Sequence, residues 1–395
     1  MYEEKTVVIG VTGGIAAYKC LDVISTLRKK NVNVHVIMTE AAAKFVTPLS
    51  FQSLSQNMVI TDMFAEPRAW EIQHISLAKK ADLMLIAPAS ANIIGKVASG
   101  IADDMLSTTI MATKAPVVFA PAMNTNMYLN PIVQENINKL KKFGYRFIEP
   151  ASGRLACGDI GEGKLADTQT ISSAILSMLY PIKDLENKKV LVTAGPTISK
   201  IDPVRYITNY SSGKMGYAIA EEARDRGAEV ILVSGPSSIP DPYGIVVERV
   251  NTNEEMLNTV LKYYDNMDIV IKSAAVADYK AKVYSREKIK KSNEELLLNF
   301  VKDNDILKIL GERKRYQILI GFAAESNNLI ENAQSKLVRK NLDYIVANNI
   351  TRVDTGFGSD DNEVLILSKD GKQVNLNKMS KRGIAKELFS LVNSN

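Results

Sequence analysis

Apolar residues in this chain come in short runs that stop at glycine or proline turns and give way to stretches with helical spacing. Lys5 to Val11 (KTVVIGV) has the pattern of a buried strand, Thr12-Gly13-Gly14-Ile15 that of a turn, Ala16 to Lys30 that of a helix, and Val32 to Met38 that of a second strand. A helix-rich section, 41–80, leads to the strand pattern Ala81 to Ile86 and the small-residue turn Ala87 to Asn92. The run Ala115 to Ala120 and the helical stretch Pro131 to Phe143 follow. Leu179 to Lys189 breaks the pattern with Pro181 and a charge cluster, which predicts a junction between domains 1–182 and 183–395. The same plan then restarts. Val190 to Thr197 is a strand and glycine turn, Tyr217 to Arg226 a helix and Glu229 to Ser234 a strand. Asp268 to Ser273 and Ile318 to Phe322 are further strands. Strand, turn and helix in alternation predict an α/β fold of two Rossmann-like parallel-sheet domains, with ligands outside the carboxyl ends of the strands.

The chemistry-bearing residues of the first half fall at those ends. Gly13 and Gly14 let the backbone approach a ligand, but the spacing Gly10-x-x-Gly13-Gly14 is not GxGxxG, so a mononucleotide such as FMN suits it as well as NAD. Thr39 closes the second strand and reads as a helix cap or a ligand hydroxyl. Ser90 and Asn92 lie in the next turn, and Asp103 and Asp104 precede a short helix. In Pro121 to Tyr128, Asn124 offers an amide for a carboxylate or a flavin edge, beside Met123 and Met127. A base must come from elsewhere: His35 sits in a strand pattern, and His74 in a mixed polar and apolar segment is the better candidate. Pro150 to Ala166 holds four glycines, which predicts a mobile loop, and Cys157 there reads as a thiol proton donor, with Arg154 or Lys164 for an anionic group.

Composition narrows the classes. At 395 residues and 46% hydrophobic, the chain can bury two cores. Its net charge of +5 is scattered among acidic residues, which suits anionic small substrates and excludes a nucleic-acid partner. Two cysteines imply no disulfide framework. With no long apolar run and no signal-peptide pattern, the expectation is a cytoplasmic protein without a membrane partner.

The segments GVTGGIAAYK, IMTEAA, APASAN, GIADDMLS, PAMNTNMY and ACGDIGEGK together resemble the flavin-containing cysteine decarboxylases, specifically phosphopantothenoylcysteine decarboxylase. The resemblance implies a flavodoxin-like domain binding FMN between subunits of a trimer, with Gly13, Gly14, Thr39, Ser90, Asn92, Asp103, Met105 and Ser107 toward the cofactor. It also implies that His74 assists oxidation of the cysteinyl moiety, that Asn124 orients the substrate carboxylate, and that Cys157 protonates the enethiolate left after carbon dioxide departs. Tyr128 stands where the family often has Trp, and Lys164 where it often has Arg.

In the second half, Ser211, Ser212 and Gly213 form a phosphate cradle ahead of a helix, while Met215 after Lys214 excludes a P-loop, GxxxxGK followed by Ser or Thr. Asp278 follows a strand end, Glu287 to Lys291 carries three lysines, and Lys336 and Lys340 share a helix face. Each reads either as solvated charge or as a triphosphate and metal site. TNYSSGKMG, SAAVADY, KIKK, GFAAES and that lysine spacing together resemble the CTP-using phosphopantothenate-cysteine ligases. The resemblance implies CTP contacts at Ala274, Ala275, Asp278, Lys288, Asn304, Asp305, Ile306, Leu307, Phe322, Lys336 and Lys340. Mg²⁺ accompanies the CTP, with Asp278 as its candidate ligand, and Asn209 and Lys288 act on an acyl-cytidylate. Asn304 stands where the family usually has Pro.

Joined, the two resemblances imply a bifunctional enzyme of coenzyme A biosynthesis. It uses 4'-phosphopantothenate, L-cysteine and CTP to make 4'-phosphopantothenoylcysteine, which the first domain decarboxylates. Trimeric decarboxylase and dimeric ligase contacts together allow a dodecamer. Two other readings are a flavin-binding regulatory module without decarboxylase activity, and an NAD-linked oxidoreductase, which the absent GxGxxG disfavours.

Overall fold

The computed structural model describes residues 2–64, 72–155, 158–290, 296–325, 328–349 and 359–394. The chain divides into two compact units, Met1–Pro181 and Ile182–Asn395.

In the first unit five parallel strands lie in the order Asn33–Met38, Thr6–Val11, Leu83–Ala89, Val117–Pro121, Arg146–Phe147. Numbered along the chain this is 2-1-3-4-5, the flavodoxin-like doubly wound order, whose switch point lies between the first and third strands. Every residue of Thr6–Val11 and Leu83–Ala89 is buried, as parallel strands covered on both faces require. Gly10 pairs in register with Ile37 and with Ile86, so all three strands end at one edge of the sheet. A side chain at Gly10 has no room, because a Cβ there would stand 2.3 Å from Leu106 Cδ1. The expected first helix divides into a 3-10 segment, Ile15–Lys19, and an α-helix, Cys20–Lys29, which buries Cys20, Val23, Ile24 and Leu27 along one stripe.

One expectation is overturned. The glycine-rich stretch 150–166 contains a packed antiparallel hairpin, Ala151–Arg154 against Ile160–Lys164. Gly153 and Gly163 adopt φ of 149° and 122°, which side chains rarely adopt. The Gly163 carbonyl accepts the Met123 N–H at 2.9 Å, fastening the hairpin to the segment after the fourth strand. Here glycine permits a tight fit.

The second unit holds an eight-stranded sheet in the order Val246–Arg249, Glu229–Ser234, Lys189–Ala194, Ile269–Lys272, Ile318–Glu325, Tyr344–Asn349, Asp361–Ser368, Gln373–Ser380. The first six pair in parallel, in the Rossmann order 3-2-1-4-5-6, and the last two add antiparallel. That antiparallel extension departs from the purely parallel expectation. It returns the chain to the final helix, Lys381–Asn393, which packs on Lys214–Asp225.

The contact between these two helices is charged at its centre. Arg382 donates to Glu222 at 2.7 Å, to Glu221 at 3.4 Å and to Asp225, while Arg226 donates to Glu222 at 3.1 Å and to Ser390 at 2.8 Å. Glu222 is fully buried and Arg226 is 1% exposed. Removing one member of such a cluster leaves a buried charge short of partners. Arg382→Ala should cost about 3 kcal/mol, read in the urea unfolding of the second unit within the full chain. A loss below about 1 kcal/mol, the value of an exposed pair, would show that the cluster does not secure the helix.

Candidate active sites

In the first unit two adjoining cavities of about 990 and 700 Å³ open at the carboxyl edge of the sheet and share Gly13, Ser90, Ala91 and Met127. Their size suits a small-molecule site. The Thr12 hydroxyl donates to the Pro88 carbonyl at 2.6 Å and accepts the Ser90 N–H at 3.0 Å, which ties the first glycine turn to the turn after the third strand. Around a Cβ placed on Gly14 no atom lies within 4 Å, so the chain leaves open space beside this turn.

The larger cavity is lined by Thr39, Ser90, Asn92, Asp103 and Met105. Thr39 also serves as a helix cap, accepting the Ala42 N–H at 3.2 Å, and Ser90 accepts the Ile93 N–H at 3.4 Å. Lys96 bridges Asp103 at 2.7 Å and Asp104 at 3.0 Å. Burial alone would raise the Asp104 carboxyl, but hydrogen bonds from Ser107 and Lys96 outweigh it and hold the group below the ordinary carboxylate range. Ser107 lines neither cavity. Its hydroxyl is fully buried in a capping box with Asp104, accepting the Asp104 N–H at 3.1 Å.

Asn124, Met123, Arg154 and Lys164 line the smaller cavity. Asn124 Oδ1 accepts the Asn126 N–H at 2.8 Å, and its Nδ2 donates to Asp159 at 3.1 Å, so the amide plane is fixed at both ends. Tyr128 is buried instead of lining the cavity, and burial together with Glu149, 3.0 Å away, pushes its hydroxyl up to about 12. His74 lies half-buried in the helix Gln73–Lys80 and lines neither cavity. Cys157 lies outside the described residues. Burial, reinforced by Lys80, lowers the pKa of His35 in its strand.

The second unit has a cavity of about 440 Å³ at its own switch point, between Lys189–Ala194 and Ile269–Lys272. It brings together Asn209, Ser211, Ser212, Gly213, Ala274, Ala275, Asp278, Phe322 and Lys336, all singled out by sequence. Gly213 takes φ of 84° as it opens the helix Lys214–Asp225, and the Ser211 hydroxyl accepts its N–H at 3.3 Å. Among the described residues four lysines line this cavity (Lys214, Lys272, Lys336 and Lys381), and Asp278 is the one carboxylate. Lys272 and Lys381 carry no sequence signal. One reads as a strand end and the other as a surface helix start.

Other expected residues lie apart from the lining. Lys340 pairs with Asp305 at 2.8 Å, and Asp305 caps a helix by accepting the Lys308 N–H at 3.1 Å. Ile306 and Leu307 are buried in the core, and the Asn304 carbonyl accepts from Asn253 at 2.9 Å. Lys288 is exposed, but its neighbour Ile289 is anchored. The Ile289 N–H donates to Asp202 at 3.2 Å and its carbonyl accepts from Arg205 at 3.0 Å. Burial would raise the Asp202 carboxyl, yet the N–H groups of Val204, Ile289 and Arg205 and the Arg205 guanidinium bring it down to about 2. Among the described residues no group of three or more His, Cys, Asp or Glu could hold a metal ion, and no helix is long and apolar enough to cross a membrane.

Comparison with known proteins gives both units relatives. Residues 1–180 match the Flavoprotein family, and residues 185–395 match the DNA/pantothenate metabolism flavoprotein C-terminal domain. The chain is 48% identical over 392 residues to the coenzyme A biosynthesis bifunctional protein CoaBC of Bacillus subtilis, covering 98% of this chain and 97% of that one. It is 44% identical to the protein of the same name from Borreliella burgdorferi, covering 99% and 100%. A solved C-terminal domain of such a protein is 43% identical and covers 54% of this chain and 97% of its own, with a TM-score of 0.47. With a flavoprotein unit followed by a pantothenate-metabolism unit, and this identity along nearly the whole length, the chain belongs to the family of coenzyme A biosynthesis bifunctional proteins.

Proposed function

We propose that the second unit activates 4'-phosphopantothenate with CTP and joins it to L-cysteine, and that the first unit decarboxylates the resulting 4'-phosphopantothenoylcysteine with FMN. Family membership supports both activities. The observation that carries the division of labour is the contrast between the two switch-point cavities. One is roomy, lined by acidic and basic residues together and bordered by Asn124, and the other is smaller and, among the described residues, lined by four lysines against one carboxylate.

The first cavity pair fits a flavin mononucleotide: open space beside Gly14, hydroxyls at Thr39 and Ser90, and the thioethers of Met105 and Met127 offer both polar and apolar walls. When bound, the flavin supplies the two-electron redox chemistry. Asn124 would orient the substrate carboxylate, its amide plane already set by Asn126 and Asp159. Arg154 and Lys164 would take the substrate's anionic end in the same cavity. Cys157 would hand a proton to the enethiolate. His74, outside its own cavities, would serve a neighbouring subunit's site in a trimer, consistent with its half-buried position on a surface helix.

In the second unit the lysines would offset the charge of a carboxylate meeting a triphosphate, which otherwise repel. Asp278 would hold the accompanying Mg²⁺, because that ion is commonly held by one or two carboxylates plus phosphate oxygens. Asn209 faces the cavity with its amide on the Ala275 carbonyl at 3.0 Å, and it would meet the acyl-cytidylate there together with Lys288. Cysteine's amine then displaces CMP to form the amide. The proposal includes a cytoplasmic location and a homo-oligomer with trimeric contacts through the first unit and dimeric contacts through the second.

Purified protein given 4'-phosphopantothenate, cysteine, Mg²⁺ and CTP should release both pyrophosphate and carbon dioxide, whereas Cys157→Ser should release pyrophosphate but stall before reduced product. Pyrophosphate appearing with ATP alone would overturn the nucleotide assignment. Gly163→Ala tests the first site separately. Its Cβ would stand 2.4 Å from the Met123 carbonyl at a φ of 122°, displacing Met123 and Asn124. The variant should lose at least about tenfold in decarboxylation, a change of roughly 1.4 kcal/mol, with pyrophosphate release unchanged. Normal carbon dioxide release would show that the hairpin does not set the site.

A further inference from the structure

Lys272 ends the strand Ile269–Lys272, with Thr193 and Gly321 as its register partners on the two neighbouring strands, and it lines the lysine-ringed cavity. Its ammonium donates to the Ala274 carbonyl at 2.9 Å. That carbonyl is the group Ala274 and Ala275 still offer to a ligand. The Ala274 N–H goes to Thr193 at 3.1 Å and the Ala275 N–H to Gly195 at 2.9 Å. The Ala275 carbonyl already accepts from Thr197 at 3.2 Å and from Asn209 at 3.0 Å. A carbonyl has two lone pairs, so Ala274 keeps one acceptor site, and Lys272 sets its direction.

The surroundings of Lys272 work against its charge. Lys336 faces it from the helix Leu329–Arg339 and Lys340 from the end of that helix. Asp305 faces it from the start of Ile306–Arg313, and Asp278 from the loop that follows its own strand. Burial is the largest influence, and with the two lysines it outweighs the two carboxylates, pushing the ammonium down to about 8. A half-buried cation flanked by other lysines is costly to hold, and a polyanion in the cavity would add counter-charge.

We infer that Lys272 is a positioning residue for nucleotide capture: it fixes the Ala274 carbonyl and, with Lys336, forms a cationic wall, so that the protonated protein binds a nucleoside triphosphate more tightly than the deprotonated one. This rests on the ligase activity proposed above. The sign follows from the charge. The free protein loses this cation as pH rises through about 8, so capture weakens, whereas bound triphosphate stabilises the proton and leaves turnover of the complex unaffected.

The test measures CTP binding at equilibrium and pyrophosphate release on the full chain between about pH 6.5 and 9.5, for wild type, Lys272→Arg and Lys272→Met. In wild type, kcat/KM for CTP should fall about fivefold across that range while kcat changes less than about twofold. Lys272→Arg should keep tight binding and lose the pH dependence, because a guanidinium stays charged. Lys272→Met should raise KM about tenfold at neutral pH with little change in kcat, its thermal unfolding remaining near that of wild type. A wild-type KM in Lys272→Met overturns the inference. So does a pH limb that persists in Lys272→Arg, which would assign it to another group such as Lys381, whose ammonium burial and Lys214 also lower. Wild type that neither binds CTP nor releases pyrophosphate overturns the ligase activity and this inference together.

Discussion

Parallel pairing of one strand with neighbours on both sides is the constraint on which the rest of each unit depends. Thr6–Val11 lies between Asn33–Met38 and Leu83–Ala89, and Lys189–Ala194 lies between Glu229–Ser234 and Ile269–Lys272. Connections from such a strand leave toward opposite faces and open a crevice at the carboxyl edge. What fills the crevice is then a matter of turn residues. Gly13 and Ser90 meet there because Gly10 and Ile86 are in register, and Gly213 meets Ala275 because Thr193 and Lys272 are.

The same crevice is given different electrostatics in the two units. In the first, Lys96 is paired with Asp103 and Asp104 and Asn124 with Asp159, and the walls mix carboxylates such as Glu40 and Asp62 with cations such as Arg154 and Lys164. In the second, Lys214 and Lys340 have carboxylate partners, and among the described residues four lysines border the cavity against one carboxylate. A lining of both signs suits the mixed ring and phosphate of the proposed mononucleotide, and a lysine-rich lining suits the proposed polyphosphate. The fold supplies the position, and side-chain pairing supplies the selectivity.

The sheet strands and their glycine turns were legible in the sequence because apolar runs and glycines report local backbone demands directly. The turn residues of both sites were legible for the same reason, since Gly13, Ser90 and Asn124 each closely follow a strand pattern and Gly213 stands just ahead of a helical one. What escaped was set by distant pairing. Lys272 reads as a solvated strand end, and only the packing of Lys336 and Lys340 from a helix more than fifty residues later turns it into a half-buried cation. Lys381 reaches the cavity through the antiparallel pair Asp361–Ser368 and Gln373–Ser380, which no apolar run picked out in the sequence predicts. The hairpin around Gly153 and Gly163 was read as mobile because glycine content shows that unusual backbone angles are permitted, and only the Met123 N–H to Gly163 bond shows that one is fixed.

The antiparallel extension also links the charged cluster to the cavity proposed for the nucleotide. Lys214 and Lys381 both stand at helix starts, where the macrodipole is unfavourable to a cation. Each is kept there by what surrounds it: Lys214 by Asp360 at 2.7 Å and Lys381 by the Ser359 carbonyl. The two helices are joined one residue beyond Lys381, where Arg382 grips Glu222 and Asp225 of the helix that Lys214 opens. Any slip between the helices therefore moves Lys381 relative to Lys214 and Gly213 at the cavity. Because those carboxylates are buried, the joint resists such a slip more than an exposed pair would. The cluster thus fixes the spacing of two cavity cations without touching the cavity.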